Sequence, residues 1–152
     1  MAVKFPPHFS LEELIRSQTA TRNSIDNTPD EEQLNNLVGL AWFLESLRSR
    51  IVMQHGRTWI NVSSGFRCEE LNLIIGGSRT SSHMKGLAAD ITCPLLTPLE
   101  LSKFIRDEME DYDQIIHEFE RWVHIGLADT PRLELLTAVK DNGKTKYKAG
   151  LV

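Results

Sequence analysis

The stretch YDQIIHEFERWVHIGL, residues 112–127, decides how the chain is read. Two runs with apolar centres, QIIHE and WVHI, flank a short FER, which is the pattern of two strands joined by a tight connection. If 113–118 and 122–127 pair antiparallel across a three-residue connection, Glu118 stands opposite Trp122 and Ile116 opposite His124. Cross-strand partners share a face, so Glu118 and His124 then look the same way. A two-residue connection would instead pair Glu118 with Arg121 and turn it from His124.

Upstream of this pair the pattern is helical. Ser10 followed three residues later by Glu13 is a capping box, and it predicts a short helix over about 11–17. Thr28 and Pro29 have the form of an N-cap and first helical position. Beyond them Leu34, Leu37, Val38, Ala41, Leu44 and Leu47 recur at three and four, predicting a long amphipathic helix that ends near Gly56. TWINVSSGFR alternates as a strand, CEELNLIIGG suits a short helix closed by its glycine pair, and SRTSSHMKG is loop. GLAADITC is a short strand, and TPLELSKFIRDEME is a helix capped by Thr97. LELLTAVKDNGKTKYKAG is a strand, an Asn-Gly turn and a polar strand or tail. Helices lead and strands follow around one later helix, so the fold expected is α+β, with N-terminal helices packed on a small antiparallel sheet. No repeat, low-complexity tract or linker divides the chain, and one domain over 1–152 is expected.

Composition bounds the function. At 152 residues the chain can bury a core without disulfide staples. The 41% hydrophobic and 25% charged fractions are those of a globular protein. No run approaches the ~18 apolar residues of a membrane span, and MAVKFPPHF lacks a secretory signal core. A net charge of −4 with 17 scattered Lys and Arg argues against a nucleic-acid surface. Cys68 and Cys93 lack ligand-like spacing and are expected as reduced, half-buried thiols with no assigned role.

Of five histidines, His8 beside Pro7, His55 beside a helix-ending glycine and His117 in an alternating strand are expected to be structural or exposed. His83 and His124 differ. In SSHMKGLAAD, residues 81–90, a loop His83 precedes Asp90 by seven positions. Gly86, Ala88 and Ala89 between them let the chain turn back closely. A catalytic zinc takes three protein ligands and leaves a fourth place for water, and WVHIG supplies a third candidate, His124. Spacing alone leaves open a loop histidine, a turn-capping Asp and a histidine in a sheet.

Ser81, His83, Gly86, Ala88 and Asp90 in the form SxHxxGxAxD, followed by Trp122 and His124 as W-x-H, resemble the paired signatures of the zinc D-Ala-D-Ala carboxypeptidase family. That family includes bacterial D,D-peptidases, dipeptidases and phage endolysins, and shares its fold with the hedgehog signalling domain. FSLEELIRSQTATRNSIDNTP, SSGFR, LNLIIGGS and YDQIIHEF extend the likeness to most of the chain. The resemblance implies Zn2+ held by His83, Asp90 and His124, a hedgehog-like or D,D-peptidase-like sheet, and Glu118 as general base. Several members carry an acid three positions before the last histidine, where this chain has Arg121; Glu120 is the competing glutamate. Arg67 matches a residue that holds the substrate carbonyl or carboxylate, and its other reading is an ion pair with Glu69 or Glu70. Ser81 would orient His83 or touch substrate, Trp122 walls the groove or fills the core, and Asp113 is a turn residue or a partner to an imidazole.

The activity implied is hydrolysis of a peptide bond in the stem or cross-link of bacterial peptidoglycan by a monomeric phage or prophage lysis enzyme. It would be made in the cytoplasm and delivered to the wall by a holin or tail. The alternatives are a host D-Ala-D-Ala carboxypeptidase or dipeptidase, and a zinc-binding interaction module without turnover.

Overall fold

Local capping signals set most element boundaries in the computed structural model, which describes residues 4–152. The Ser10 hydroxyl accepts from Glu13 N at the start of α1, Leu11–Ile15. The segment expected as one helix to about 17 then breaks. Arg16 is extended, and Ser17 accepts from Ala20 N to start α2, Gln18–Arg22. A serine side chain that competes for a backbone N–H ends one helix and begins another. The long helix α3 is Glu31–His55. Its start is not made by Thr28 and Pro29: Asp30 and Gln33 exchange reciprocal side-chain to backbone bonds of 2.8 Å each, while Thr28 bonds back to Asp26. An Asp with Gln three residues on satisfies two helix-end groups at once.

Contacts divide the chain into two compact units, one taking in the chain up to Ser46 and Ser64–Ala89, the other Leu47–Ser63 and Asp90–Val152. Within the first, Leu14, Leu37, Leu40, Ala41, Leu44, Phe66 and Leu71 are buried. Buried Asn27 donates to Ile15 O and Phe66 O and accepts from Cys68 N, tying 66–68 to the end of α1. Helix α4, Glu69–Ile75, stops at Gly76 in the left-handed region.

The second unit holds most of a six-stranded sheet, ordered β1-β2-β4-β3-β5-β6. The strands are Asn61–Ser64, Ala88–Thr92, Gln114–Glu118, Trp122–Gly126, Glu134–Asp141 and Lys144–Ala149 for β1 to β6. Helix α5, Pro98–Glu108, is capped by Thr97 as its sequence predicts and packs on β3 and β4. The chain is therefore α+β. The sheet is not purely antiparallel, however: β3 pairs antiparallel with β4 but parallel with β5. After β4 the chain returns to the far edge of β3, where Glu134 N donates to Asp113 O, so β5 has to run in the direction of β3. The Asn142–Gly143 turn, with both φ angles positive, closes β5 onto antiparallel β6.

Candidate metal centre

His83 lies in a 3-10 turn, Ser82–Lys85, within the segment expected as plain loop. The Ser81 hydroxyl accepts from His83 N at 3.3 Å, and Gly86 closes the turn at φ 75°. Gln33 and Asn36 on α3 donate to Met84 O and Lys85 O, fixing the turn from the helix side. The imidazole is 1% exposed, and its Nδ1 stands 2.7 Å from Gly65 O. A carbonyl oxygen only accepts, so Nδ1 carries the proton and Nε2 presents its lone pair, as a metal-ligating histidine requires. Gly65 occupies that position because nothing larger fits: a Cβ there would lie 2.2 Å from Leu14 O. Phe66 N donates to Leu14 O at 2.7 Å and Arg67 N to His83 O at 3.1 Å, so the chain on either side is stitched down too.

Asp90 is on β2, and its carbonyl accepts from the Ser63 hydroxyl. His124 is on β4, with Nδ1 at 3.1 Å from Asp90 Oδ1 and 3.9 Å from Glu118 Oε1. The ladder pairs Glu118 with Trp122 and Ile116 with His124, the register of the three-residue connection. Ile115, Val123 and Ile125, alternating with these residues on β3 and β4, are fully buried. The side chains of His124, Asp90 and Glu118 keep 12%, 14% and 16% exposure, enough for a small ligand to reach them. Trp122 Nε1 donates to Glu118 Oε2 at 3.1 Å, and its ring meets Phe119 edge-on at 5.5 Å. Trp122 thus anchors the glutamate, a role its aromatic character alone does not disclose.

His83, Asp90 and His124 each offer one ligand atom, and these atoms lie within 4.8 Å of one another. Two imidazole nitrogens and a carboxylate oxygen are a donor set that zinc accepts. Ligands at ~2.0–2.1 Å on adjacent corners of a tetrahedron are about 3.3 Å apart, close to the 3.1 Å between His124 Nδ1 and Asp90 Oδ1. The residues present therefore fit the ion.

The other candidates are placed as follows. Arg67 is half-buried in the segment after β1, and Glu120 is exposed in the β3–β4 turn. Asp113 serves neither a turn alone nor an imidazole. It accepts from Arg132 Nε, Nη2 and N at 2.7–3.0 Å, and the Arg132 guanidinium holds its carboxyl below the usual value. His8 pairs with Glu45, His117 bonds Val152 O and His55 lies against Phe104. Cys68 is half-buried and Cys93 buried, both free thiols. Sequence reasoning missed the carbonyl of Gly65, which has no side-chain signal, and Gln33, whose only sequence mark is its spacing from Asp30.

A family model described as Peptidase M15 matches residues 7–126. The match takes in His83, Asp90, Glu118 and His124 and ends with β4, leaving β5 and β6 outside it. No curated protein matches the chain.

Proposed function

The chain belongs to the peptidase M15 family, and from that premise we propose that it is a zinc-dependent peptidase cutting a peptide bond in the stem or cross-link peptides of bacterial peptidoglycan. The observation that carries this reading is Glu118, held by Trp122 on the face of the β3–β4 pair that presents His124, beside Asp90. His83 Nε2, His124 Nδ1 and one Asp90 oxygen would hold the ion. Bound there, zinc would supply Lewis acidity and a water acidified to a pKa near ~7.

The chain's own groups do the rest. The Gly65 carbonyl and the Ser81 hydroxyl set the tautomer and backbone position of His83. Glu118 Oε1, on the His124 side, accepts a proton from the attacking water and returns it to the departing amine, while the indole keeps Oε2 in place. Arg67 offers a planar fork that suits the carbonyl or carboxylate of a peptide substrate. Ser81 and Trp122 line the approach. Glu120, exposed in the turn, is not used.

Peptidoglycan is the substrate class that the family resemblance suggests, and a phage or prophage lysis enzyme is the setting we infer. Host carboxypeptidase activity on D-Ala-D-Ala is the nearest alternative. Zinc-loaded protein incubated with defined muropeptides and followed by mass spectrometry tests the reading. Product masses name the bond, and intact muropeptides beside bound zinc would overturn it in favour of a non-catalytic zinc module. Glu118→Gln should keep zinc and lose about 10²–10⁴ in rate; undiminished turnover would move the base elsewhere.

A further inference from the structure

The turn that follows α4 is built around one buried amide. Asn72 on α4 is 3% exposed, and its Nδ2 donates to Ser78 O at 2.9 Å. A carbonyl oxygen only accepts, so this bond fixes which way the amide faces and turns Oδ1 away from Ser78. Oδ1 is buried there with no hydrogen-bond partner among the described residues. A buried acceptor left without a donor weakens a fold, so its presence calls for a use.

Gly77 marks what Oδ1 faces. Gly76 takes a left-handed φ of 81°, but Gly77 does not, so the glycine at 77 is required by space rather than by backbone angle. A Cβ there would lie 2.1 Å from Asn72 Oδ1 and 3.1 Å from Arg67 Nη1. Both atoms border the same small gap, so at most about 5 Å separates them. A guanidinium is donor-only and an amide oxygen is an acceptor. A shift of at most about 2 Å along the flexible arginine side chain brings the pair to a bond of ~2.9 Å. The backbone of Arg67 is already tied down, its N donating to His83 O at 3.1 Å.

We propose that Asn72 is a positioning residue for Arg67: its Oδ1 takes the Nη1 end of the guanidinium, across the gap that the absent side chain of Gly77 keeps open. This rests on the peptidase reading above, in which Arg67 holds the carbonyl or carboxylate of the substrate. Nε of Arg67 is buried, so the substrate meets the end of the fork formed by Nη1 and Nη2. One Nη1 hydrogen goes to Asn72, and the other is aimed with Nη2 at the substrate. A fork binds a carboxylate through two bonds only when its plane is held, and the amide supplies that hold.

The test is a double-mutant cycle on the full, zinc-loaded chain with a muropeptide that ends in a free carboxylate. With Arg67 in place, Asn72→Ala should lower kcat/KM about 10- to 100-fold, the effect of one hydrogen bond to a charged group, with zinc affinity within about twofold. In an Arg67→Ala background the same change should alter kcat/KM by less than about twofold, because it acts only through the arginine. Gly77→Ala, whose methyl enters the gap, should follow the same pattern, and it carries the cycle on its own should Asn72→Ala not fold. Losses of equal size in both backgrounds would assign these residues to upkeep of the turn and overturn the proposal, as would unchanged kcat/KM. If wild type cleaves no muropeptide, the peptidase reading fails separately. In that case, or where Arg67→Ala leaves no measurable rate, nitrogen-15 NMR of the guanidinium decides. Nη1 hydrogens of Arg67 that exchange slowly in wild type and fast in the variant uphold the proposal, and equal exchange overturns it.

Discussion

Replacing Gly65 by alanine tests whether a backbone carbonyl sets up the metal centre. An added Cβ would lie 2.2 Å from Leu14 O and 3.0 Å from Leu14 C, whereas carbon and oxygen settle no closer than about 3.3 Å. The chain must retreat by about 1 Å. Two hydrogen bonds of 2.7 Å share this spot, Phe66 N to Leu14 O and His83 Nδ1 to Gly65 O. A 1 Å retreat stretches them past the distance at which such bonds count. Leaving the buried imidazole N–H unsatisfied costs about 1–3 kcal/mol, and the weakened backbone bond about 1 more. The metal-free variant should therefore be about 2–4 kcal/mol less stable in urea unfolding. His83 also loses the partner that fixes its tautomer, so zinc affinity, read by competition with a chromophoric chelator, should fall about 10–100-fold. Lowered stability with unchanged zinc affinity would refute the link between the carbonyl and the ligand.

Trp122→Phe keeps a ring against Phe119 but removes the donor to Glu118 Oε2. A bond to a charged group contributes about 1.5–3 kcal/mol, so kcat should drop about 10–100-fold while zinc content and KM hold. An unchanged kcat would remove Trp122 from the positioning of Glu118. For Asp113 the sign follows from its carboxyl being held below 3.8 by the Arg132 guanidinium. The stabilisation is complete above the unfolded value and is lost as pH falls through the lower folded one. Arg132 is 59% exposed, so Arg132→Met should cost on the order of 1 kcal/mol at pH 7. That difference should shrink in urea melts as pH falls below 3.8 and close once the lowered carboxyl is protonated in the folded state too; a pH-independent difference would assign the effect to packing.

Where the physics is local, sequence and structure agree. Ser10, Thr97, Gly76 and the Asn-Gly turn each act within four residues, and each bounds its element as its chemistry requires. The Glu118–Trp122 register was legible as one of two options, because strand alternation ties pairing to loop length. Local competition explains the misplaced helix boundaries: Ser17 interrupts the first helix, and Asp30 with Gln33 displaces Thr28 as a cap. The parallel pairing of β5 with β3 and the Asp113–Arg132 clamp depend on residues about twenty apart, which no window of periodicity spans. His83, Asp90 and His124 stand out in the sequence only through the family signatures they resemble, since their spacing alone leaves other readings open. The carbonyl that orients the first of them belongs to a glycine and leaves no mark in such a pattern.

The β3–β4 turn has a consequence for the durability of the protein. Phe119 and Glu120 both take left-handed backbone angles, φ 55° and 59°, without being glycine. Each such residue is disfavoured by roughly 1–2 kcal/mol, and a chain selected only to withstand heat would place Asn-Gly there. That pair favours the shorter, two-residue hairpin, which would slip Glu118 by one position and turn it from His124. Thermal hardening at this turn and catalytic competence therefore pull in opposite directions, and any stabilised variant has to gain its resistance elsewhere in the chain.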